Sequence, residues 1–478
     1  MLCHVIQGRI RSQVGRVSES LLKGDGSALR QLLPAERVER AVEAEGVHFR
    51  DCLYTPLVTL WTFLAQVLDA EGSCRAAVSK LLAWLAACDR ASGASADPCA
   101  ADTGPYCKAR QRLPEKLVSR LARETGAELA RRYPSSGLLR GRRVKIADGT
   151  TASMPDTPEN QACWPQPVTQ KPGVGFPLVR MVVLLSLSCA VVLNLALGPY
   201  SGKESGETAL LRTLLDDLEA GDVLLADRYY ASYWMIASLY LRGIDSLFRQ
   251  HQKRKIDFRT GRRLGRDDHV ITLTRPKRPE WMDERTYQQM HEQMNVREVR
   301  VRVCLRGFRV RALVLVTTLL DAQLYSVDEL ARVFRCRWHA ELDIRSIKQT
   351  MHMSVLRCKT PSMVRKEIWM HLLAYNLIRA VMARAAAESG IEPRQVSFAG
   401  AVQTINAFTP ALHSAARRDL PRLWTILLRA IARHRVGDRP DRCEPRAVKR
   451  RAKPIALLTV PREEARRRLA RATARGDA

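Results

Sequence analysis

Residues 327–351 read VDELARVFRCRWHAELDIRSIKQTM and form the most informative segment of the chain. No Pro or Gly interrupts the segment, and its composition favours one continuous helix. With successive residues about 100° apart, one narrow arc of this helix begins apolar and then becomes charged. The members of that arc are Val327, Leu330, Phe334, Arg337, Glu341, Arg345 and Lys348.

The charged half of this arc has two interpretations. Charges on a buried face cost several kcal/mol unless they are paired or bind a ligand. One carboxylate among three fixed cations is suited to a metal ion beside a phosphate. Alternatively, the arc is a solvated face with intrahelical ion pairs such as Glu341–Arg345. The rest of the chain must distinguish the two interpretations.

The charge of the whole chain indicates a polyanionic partner. Its 478 residues carry a formal net charge of +29, which is expected of a protein that binds nucleic acid or an anionic membrane surface. The membrane is the weaker candidate because the N-terminus lacks the pattern of a signal peptide. The apolar segment 181–197 predicts a β-hairpin that turns near Ser188, and not a membrane span. We therefore expect a cytoplasmic DNA- or RNA-binding protein.

The cysteines argue against a zinc site and against a disulfide framework. None of the 12 cysteines forms a Cys-x-x-Cys pair, and several lie in apolar segments. This distribution is typical of reduced thiols packed as small hydrophobic groups. No close cluster of Cys and His has zinc-ligand spacing.

The pattern of predicted elements divides the chain. Short apolar strands and helices alternate after residue 143, in an order that predicts a mixed α/β sheet. A basic, loosely patterned stretch then interrupts this core. The expected domains are 1–135, helical and accessory or DNA-binding; 136–250, the first part of the core; 251–309, an insertion; 310–435, completion of the core with the charged helix; and 436–478, a basic tail.

Two acidic residues follow short apolar strands in this core. Asp148 ends the predicted strand 143–148, and Asp227 ends the predicted strand 222–227. Open α/β sheets commonly place ligand sites at such strand ends. Either residue alone would more often be a turn or helix-capping acid. Together with Glu341 they form a set of carboxylates suited to Mg²⁺ or Mn²⁺. Two such ions about 4 Å apart can promote attack on a phosphodiester and stabilise the leaving oxygen.

Several motifs, in their order along the chain, resemble those of one family. They are Asp148-Gly-Thr-Thr, Ala226-Asp227-Arg-Tyr-Tyr, Thr317-Thr-Leu-Leu-Asp321, Arg337-x3-Glu341-x6-Lys348, Lys359-Thr-Pro and Tyr375-Asn376-Leu-Ile-Arg379. This set is similar to that of bacterial insertion-sequence transposases of the DDE type, in the branch with a Tyr-x2-Arg-x3-Glu-x6-Lys signature helix. The resemblance covers roughly residues 100–460.

The resemblance implies a fold and a reaction. The fold would be α/β, a ribonuclease H-like mixed-sheet core with a β-rich insertion between the second Asp and the Glu, beside an N-terminal helical domain. The reaction would be cut-and-paste transposition, in which metal-dependent cleavage at the inverted-repeat ends is followed by strand transfer into target DNA. The implied partners are these DNA ends and the target DNA, and the implied assembly is a homodimer on DNA, associated with the bacterial nucleoid.

The same resemblance implies roles for individual residues. Asp148, Asp227 and Glu341 would be the catalytic triad and would bind two Mg²⁺ or Mn²⁺ ions. Arg337, Arg345 and Lys348 would bind the DNA backbone near the scissile phosphate. Trp281 in the insertion would stack on a flipped base, although a tryptophan beside Pro279 is more often a local packing residue.

One position departs from the family pattern. Phe334 stands where the signature has Tyr, and a phenyl ring cannot donate a hydrogen bond to a phosphate. This change puts in doubt any step that needs the hydroxyl, including the DNA hairpin intermediate that some relatives form. It leaves the three carboxylates unaffected.

Other classes of protein remain as alternatives. A metal-dependent nuclease on the same core would cut DNA without joining it. A decayed, non-catalytic DNA-binding protein would be expected to lack one of the acids, and all three are present. A glycosidase would also use paired carboxylates, but neutral sugars do not require so basic a protein.

Overall fold

The structure is a computed structural model that describes residues 32–47, 49, 52–92, 102–133, 138–302, 312–416, 418–437 and 457–475. The first 31 residues of the predicted helical domain, about half of the predicted basic tail (438–456 and 476–478) and the end of the predicted insertion lie outside these ranges.

One large mixed sheet runs through the middle of the molecule. Its strands are β1 Leu138–Leu139, β2 Arg142–Ser153, β3 Leu178–Ser186, β4 Val192–Pro199, β5 Val223–Ala226, β6 Asp245–Arg249, β7 Arg262–Gly265, β8 Asp268–Thr274, β9 Gln293–Arg302 and β10 Ala312–Thr317. The strand order is β4-β3-β2-β5-β6-β10-β9-β8-β7, and β1 pairs with β2.

The first half of this sheet has the ribonuclease H-like arrangement. Strands β2, β3 and β4 form an antiparallel meander, and β5 and β6 then continue the sheet parallel to β2. Helices cover both faces of the sheet, and alternate residues of each strand therefore pack in two different hydrophobic cores. Ile146, Leu225 and Leu247 pack in one hydrophobic core, and Ala147 and Leu224 pack in the other. The predicted mixed α/β fold is confirmed.

The insertion extends this sheet. After β6 the chain forms β7, β8 and β9, and β9 pairs antiparallel with β10, which in turn pairs with β6. The fully buried Arg297, on β9, donates to both carboxylate oxygens of Asp268, on β8, at 2.8 and 2.6 Å, and so joins these two strands. A β-rich insertion between Asp227 and Glu341 is therefore present, as the resemblance implied.

Helices surround the sheet. Their bounds are α1 Ala35–Ala44, α2 Pro56–Val67, α3 Cys74–Ser92, α4 Gly104–Arg112, α5 Glu115–Arg132, α6 Pro158–Cys163, α7 Glu207–Arg212, α8 Tyr233–Tyr240, α9 Glu284–Gln289, α10 Val327–Arg335, α11 Trp338–Arg345, α12 Pro361–Glu388, α13 Phe398–Ser414, α14 Leu420–Arg433 and α15 Arg462–Ala474. The buried side chain of Asn376, on α12, donates to the carbonyls of Ala122 and Val192 and so joins α5 to β4. The N-terminal helices thus pack directly on the core, and the domain limits given above stay predictions.

The uncharged segment 181–197 forms the predicted hairpin. Strands β3 and β4 pair antiparallel, and the turn between them contains Ser188. Their side chains are largely buried between the two helical layers, which explains the unbroken apolar sequence. Within the described ranges, no helix is both long enough and apolar enough to cross a bilayer.

The expectation of one continuous helix over residues 327–351 is wrong. Helix α10 ends at Arg335, α11 begins at Trp338, and a π-helical turn follows over Ser346–Thr350. At the break, the amides of Cys336 and Arg337 donate to carbonyls three residues earlier, at 3.0 Å each, instead of four. The backbone dihedral angles stay helical, while the hydrogen bonds span three residues at the break and five residues in the π-helical turn. Such departures are common at functional sites.

Segment 205–220 has the apolar pattern of one helix, but the helix that forms there is shorter than the pattern. Helix α7 covers Glu207–Arg212, and a 3₁₀ turn follows at Leu215–Asp217. Here the amides of Thr213, Leu214 and Asp217 donate three residues back along the chain. The apolar pattern survives this change because Leu210, Leu211 and Leu215 still face the core.

Candidate active site

The register of β2 against β5 puts the positions of the two aspartates next to each other. Strands β2 and β5 are parallel, and Ile146 pairs with Leu225 in their last matched position. Continuing this register by two residues brings Asp148 next to Asp227, and neighbouring strands lie about 5 Å apart. Because side chains alternate, both acids point to the face that carries Ile146 and Leu225. The signature segment packs on that same face.

The strand that carries Asp148 does not end there, in contrast to the sequence-based expectation. Strand β2 continues to Ser153 because it pairs with β3 as far as Leu178. Its pairing with β5 stops at Ile146, and β5 itself ends at Ala226. Asp148 is thus held on one side by a long antiparallel partner, while its other side opens where the parallel strand stops. The ligand edge expected at strand ends is preserved.

Arg337 links the first and third acids of the predicted triad. Its Nη2 donates to Oε1 of Glu341 at 3.1 Å, and its Nη1 lies 3.9 Å from Oδ2 of Asp148. The side chains of Arg337 and Asp148 are 11% and 16% exposed, whereas that of Glu341 is 41% exposed. Arg337 occupies the break between α10 and α11. The structure therefore brings Arg337, Asp148 and Glu341 together at the point along β2 where its pairing with β5 has stopped.

Asp148 has an unusual electrostatic environment. The pKa of its carboxyl is raised to about 6; burial is the largest cause, and Glu341 and Glu207 contribute to the rise. Arg337 and the amide of Gly149, which donates to Oδ1 at 3.0 Å, oppose this rise. The neighbouring cation thus compensates only part of the burial and like-charge repulsion. A carboxylate in this state would gain from additional positive charge.

The donor groups suit a hard divalent cation. Carboxylate oxygens are the ligands preferred by Mg²⁺ and Mn²⁺, and Asp148 is incompletely neutralised. Among the described residues, no group of three or more His, Cys, Asp or Glu side chains lies close enough to hold a metal ion. The guanidinium of Arg337 instead contacts two of the three predicted ligands.

The other two predicted cations of the signature segment lie on α11 and the π turn. The side chain of Arg345 is exposed and forms no hydrogen bond or ion pair with the described residues. Lys348 is half-buried, and burial lowers the pKa of its ammonium group. Phe334, at the position where the family has Tyr, is buried in the main hydrophobic core.

Trp281, in the insertion, packs against the core helices α7 and α8. The guanidinium of Arg212 lies over its ring, 3.8 Å from the centroid, and the ring of Trp234 meets it edge-on at 6.5 Å. These contacts favour the packing role, because Arg212 covers one face of the indole. The base-stacking role stays a prediction.

Sequence reasoning missed two charged residues near the triad. Arg249 ends β6, and continuing the pairing of Ala226 with Phe248 by one residue brings Arg249 beside Asp227. Burial and then Arg228 lower the pKa of Arg249, and Asp227 opposes this effect. Glu207 begins α7, and its negative charge contributes to the raised pKa of Asp148. Neither residue belongs to a recognisable motif, but Arg249 follows an apolar strand as the two aspartates do.

Comparison with known proteins identifies the family. Residues 139–377, half of the chain, match the family model described as "Transposase DDE domain". The chain is 29% identical over 367 residues to transposase InsG for insertion sequence element IS4 of Escherichia coli (strain K12), with coverage of 74% of this chain and 78% of InsG.

Shorter and more distant similarities accompany this match. The transposase for insertion sequence element IS421 of Escherichia coli is 37% identical over 65 residues, 14% of this chain and 18% of that protein. The structure of piggyBac transposase in a synaptic complex with hairpin DNA aligns over 84% of both chains, with 8% identity and a TM-score of 0.40. The match over residues 139–377 and the similarity to InsG show that the chain belongs to the DDE transposases, enzymes that cleave DNA and transfer its strands during transposition.

Proposed function

We propose that Asp148, Asp227 and Glu341 form the active site in which this transposase cuts its element's ends and joins them to target DNA. The observation that carries the proposal is Arg337, which pairs with Glu341 and lies 3.9 Å from Asp148. The parallel register of β2 and β5, continued by two residues, supports a neighbouring position for Asp227. Asp148, Asp227 and Glu341 are far apart in the chain, and these two observations support their convergence at one edge of the sheet.

Members of this family use divalent metal ions. We propose Mg²⁺ or Mn²⁺ as the ions, two per site, with the three carboxylates as ligands. When bound, such ions polarise the phosphodiester and stabilise charge on its attacking and leaving oxygens. The protein's own contribution is to hold the carboxylates in position and to keep Asp148 in a partly desolvated environment, where its affinity for cations is high.

Arg337 can bind either the site's own carboxylates or a DNA phosphate. Without nucleic acid it pairs with Glu341 and approaches Asp148. A DNA phosphate, like a carboxylate, has two oxygens that can accept hydrogen bonds from the planar guanidinium group. We propose that Arg337 grips the backbone beside the scissile phosphate when the carboxylates bind cations. Lys348, Arg345 and Arg249 supply further positive charge around the same edge.

The substrate follows from the proposed chemistry. Water would cut the strand at the element's end and leave a 3′-hydroxyl, and that hydroxyl would attack target DNA in the same site. In that second step the target phosphodiester bond breaks as the new phosphodiester bond forms at the same phosphorus, and the target strand leaves with a 3′-hydroxyl. One bond replaces another, so no nucleotide cofactor is consumed. Joining two ends to one target suggests at least a homodimer on the DNA, and a net charge of +29 suits contact with several phosphates. InsG, for comparison, is named as the transposase of an insertion sequence element.

The test is a joining reaction with defined components. Purified protein, short duplexes that carry the element's end with a free 3′-hydroxyl, supercoiled target plasmid and Mg²⁺ are mixed. We expect end-joined plasmid as the product, and its loss in Asp148→Asn and Glu341→Gln variants that still bind the ends. Plasmid cleavage without covalent joining would instead indicate the nuclease alternative.

A further inference from the structure

Glu207 lies directly against the backbone next to Asp148. A Cβ atom added at Gly149 would lie 2.2 Å from Cδ of Glu207 and 2.3 and 2.5 Å from its two carboxylate oxygens. The space that any other residue would fill at position 149 is therefore occupied by this carboxylate. Glycine follows Asp148 because Glu207 packs there, and the Asp-Gly motif and this distant glutamate form one local arrangement.

A buried phenol connects Glu207 to the second aspartate. Tyr230 has no exposed surface, and its Oη donates to Oε2 of Glu207 at 3.3 Å. Tyr230 closes the 3₁₀ turn that begins immediately after Asp227. Through these two contacts Glu207 touches the segment of Asp148 on one side and the segment of Asp227 on the other.

Glu207 approaches from the face opposite to the Asp148 side chain. Asp148 shares its face with Ile146, whereas a side chain at Gly149 would share the face of Ala147, on which α7 and Tyr230 pack. Glu207 therefore acts through the strand and does not lie with the three predicted ligands. The ordinary role for an acid in the first turn of a helix is to interact with the helix dipole. That role would not require contact with Gly149 or with Tyr230.

We propose that Glu207 is a positioning residue of the active site, which supports the strand at Asp148–Gly149 and adds negative charge behind Asp148. This inference rests on the proposed function of the triad. Its consequence is a higher affinity of the site for divalent cations. Loss of a residue that orients a metal ligand typically weakens metal binding or activity by about 10- to 100-fold.

The experiment uses the full-length protein and Mn²⁺ alone, titrated by calorimetry without DNA, followed by end cleavage as a function of Mg²⁺ concentration. Glu207→Gln removes the charge and keeps the shape. We expect about tenfold weaker Mn²⁺ binding and about tenfold more Mg²⁺ for half-maximal cleavage, with near wild-type cleavage at saturating Mg²⁺. Glu204→Gln is the matched control, since Glu204 lies three residues earlier, is exposed and pairs with Arg212. It should behave as wild type.

Gly149→Ala tests the contact independently. The added methyl group displaces the carboxylate of Glu207, which is the end of a flexible side chain, so the protein should fold and show the same tenfold shift. In the Gly149→Ala/Glu207→Gln double variant the two effects should not multiply, because both remove one interaction. A purely structural role would reduce cleavage at every Mg²⁺ concentration.

Three outcomes would overturn the inference: wild-type Mn²⁺ affinity in Glu207→Gln, multiplied effects in the double variant, or cleavage that saturating Mg²⁺ fails to restore. The Asp148→Asn variant separates this inference from the proposed function. If Asp148→Asn binds Mn²⁺ as wild type, the triad itself is not the cation site. If Asp148→Asn loses Mn²⁺ binding while Glu207→Gln does not, only the role of Glu207 fails.

Discussion

Two charged clusters lie on different faces of helix α11 and are built from the same kinds of groups. On one face, Glu341 pairs with Arg337 at 3.1 Å, and its side chain is 41% exposed. On the other face, Asp343 pairs with Arg379 at 2.7 Å and with Arg394 at 3.0 Å, and its side chain is 3% exposed. The two acids are only two residues apart in the sequence.

The clusters differ in how completely their groups are satisfied. Asp343 uses both carboxylate oxygens, and its partner Arg379 also donates to Tyr375, whose hydroxyl donates to the carbonyl of Ala190. Among the described residues, the side chain of Asp148 in the other cluster has only the 3.9 Å contact with Arg337 and the hydrogen bond from the amide of Gly149. A saturated buried network stabilises a fold, whereas an unsaturated one retains the capacity to bind.

The largest expected effect is on catalysis at the unsaturated cluster. Asp148→Asn and Glu341→Gln should each lose several kcal/mol of transition-state stabilisation, which corresponds to a fall of about 10³-fold or more in end cleavage. Binding of the ends should remain nearly intact. Single-turnover cleavage and gel-shift titrations measure the two properties. Loss of end binding with equal severity would instead assign these acids a structural role.

At the saturated cluster we expect an effect on folding instead. Asp343→Ala leaves the buried Arg379 and the partly buried Arg394 without their carboxylate partner, and breaking a buried pair costs about 3–5 kcal/mol. Urea denaturation would measure the change in the free energy of unfolding. Glu388→Ala is the control, because the Arg384–Glu388 pair is exposed and such pairs contribute at most about 1 kcal/mol. Similar losses in both variants would remove the distinction between the clusters.

The contribution of Asp148 to the pH dependence of stability should have the opposite sign to that of an ordinary carboxylate, whose pKa falls on folding. In metal-free protein the pKa of Asp148 rises from 3.8 to about 6 on folding, so the folded state binds its proton more tightly. Between about pH 4 and pH 6 this group therefore reduces the free energy of unfolding as pH rises, by at most about 3 kcal/mol. Asp148→Asn should be more stable than wild type at pH 7.5 and equally stable at pH 3.5.

Thermal or urea unfolding of wild type and Asp148→Asn at the two pH values would measure this difference. A constant difference between the two proteins, or a less stable Asp148→Asn at pH 7.5, would contradict the assignment of Asp148 to a desolvated and incompletely neutralised site.

The smallest expected effect concerns the salt dependence of DNA binding. Arg337→Ala should weaken end binding and reduce the slope of log K against log salt by about one unit, as expected for the loss of one phosphate contact. Arg337→Lys retains the charge and should retain the slope, although it loses the planar two-donor geometry. Fluorescence anisotropy at several salt concentrations would measure both variants. An unchanged slope in Arg337→Ala would exclude Arg337 from the DNA interface.

The sequence was sufficient for the features that depend on short-range pattern. Apolar strands followed by Asp148 and Asp227 predicted the two acids at one sheet edge, and the unbroken apolar run 181–197 predicted a buried hairpin. The break at Cys336–Arg337 escaped prediction because both residues keep helical dihedral angles and only their hydrogen-bond partners change. No propensity scale responds to that difference.

Contacts between distant segments were beyond the reach of sequence reasoning. Glu207 lies 58 positions after Gly149, and only the register of β2 against its neighbours brings the two together. Arg249 becomes part of the site because β6 pairs with β5, which no local pattern specifies. The fold therefore completes a site of which the motifs reveal only the three acids and the cations of the signature segment.

A metal-rescue experiment tests the central claim most directly. Asp148→Cys, Asp227→Cys and Glu341→Cys replace an oxygen donor by sulfur, which binds Mg²⁺ poorly and softer cations such as Mn²⁺ better. The account predicts that each variant is inactive in end cleavage with Mg²⁺ and partly active with Mn²⁺, whereas Asp343→Cys shows no preference for Mn²⁺ over Mg²⁺ beyond that of wild type. Failure of all three to respond to Mn²⁺, or an equal response in Asp343→Cys, would contradict a cation site formed by Asp148, Asp227 and Glu341.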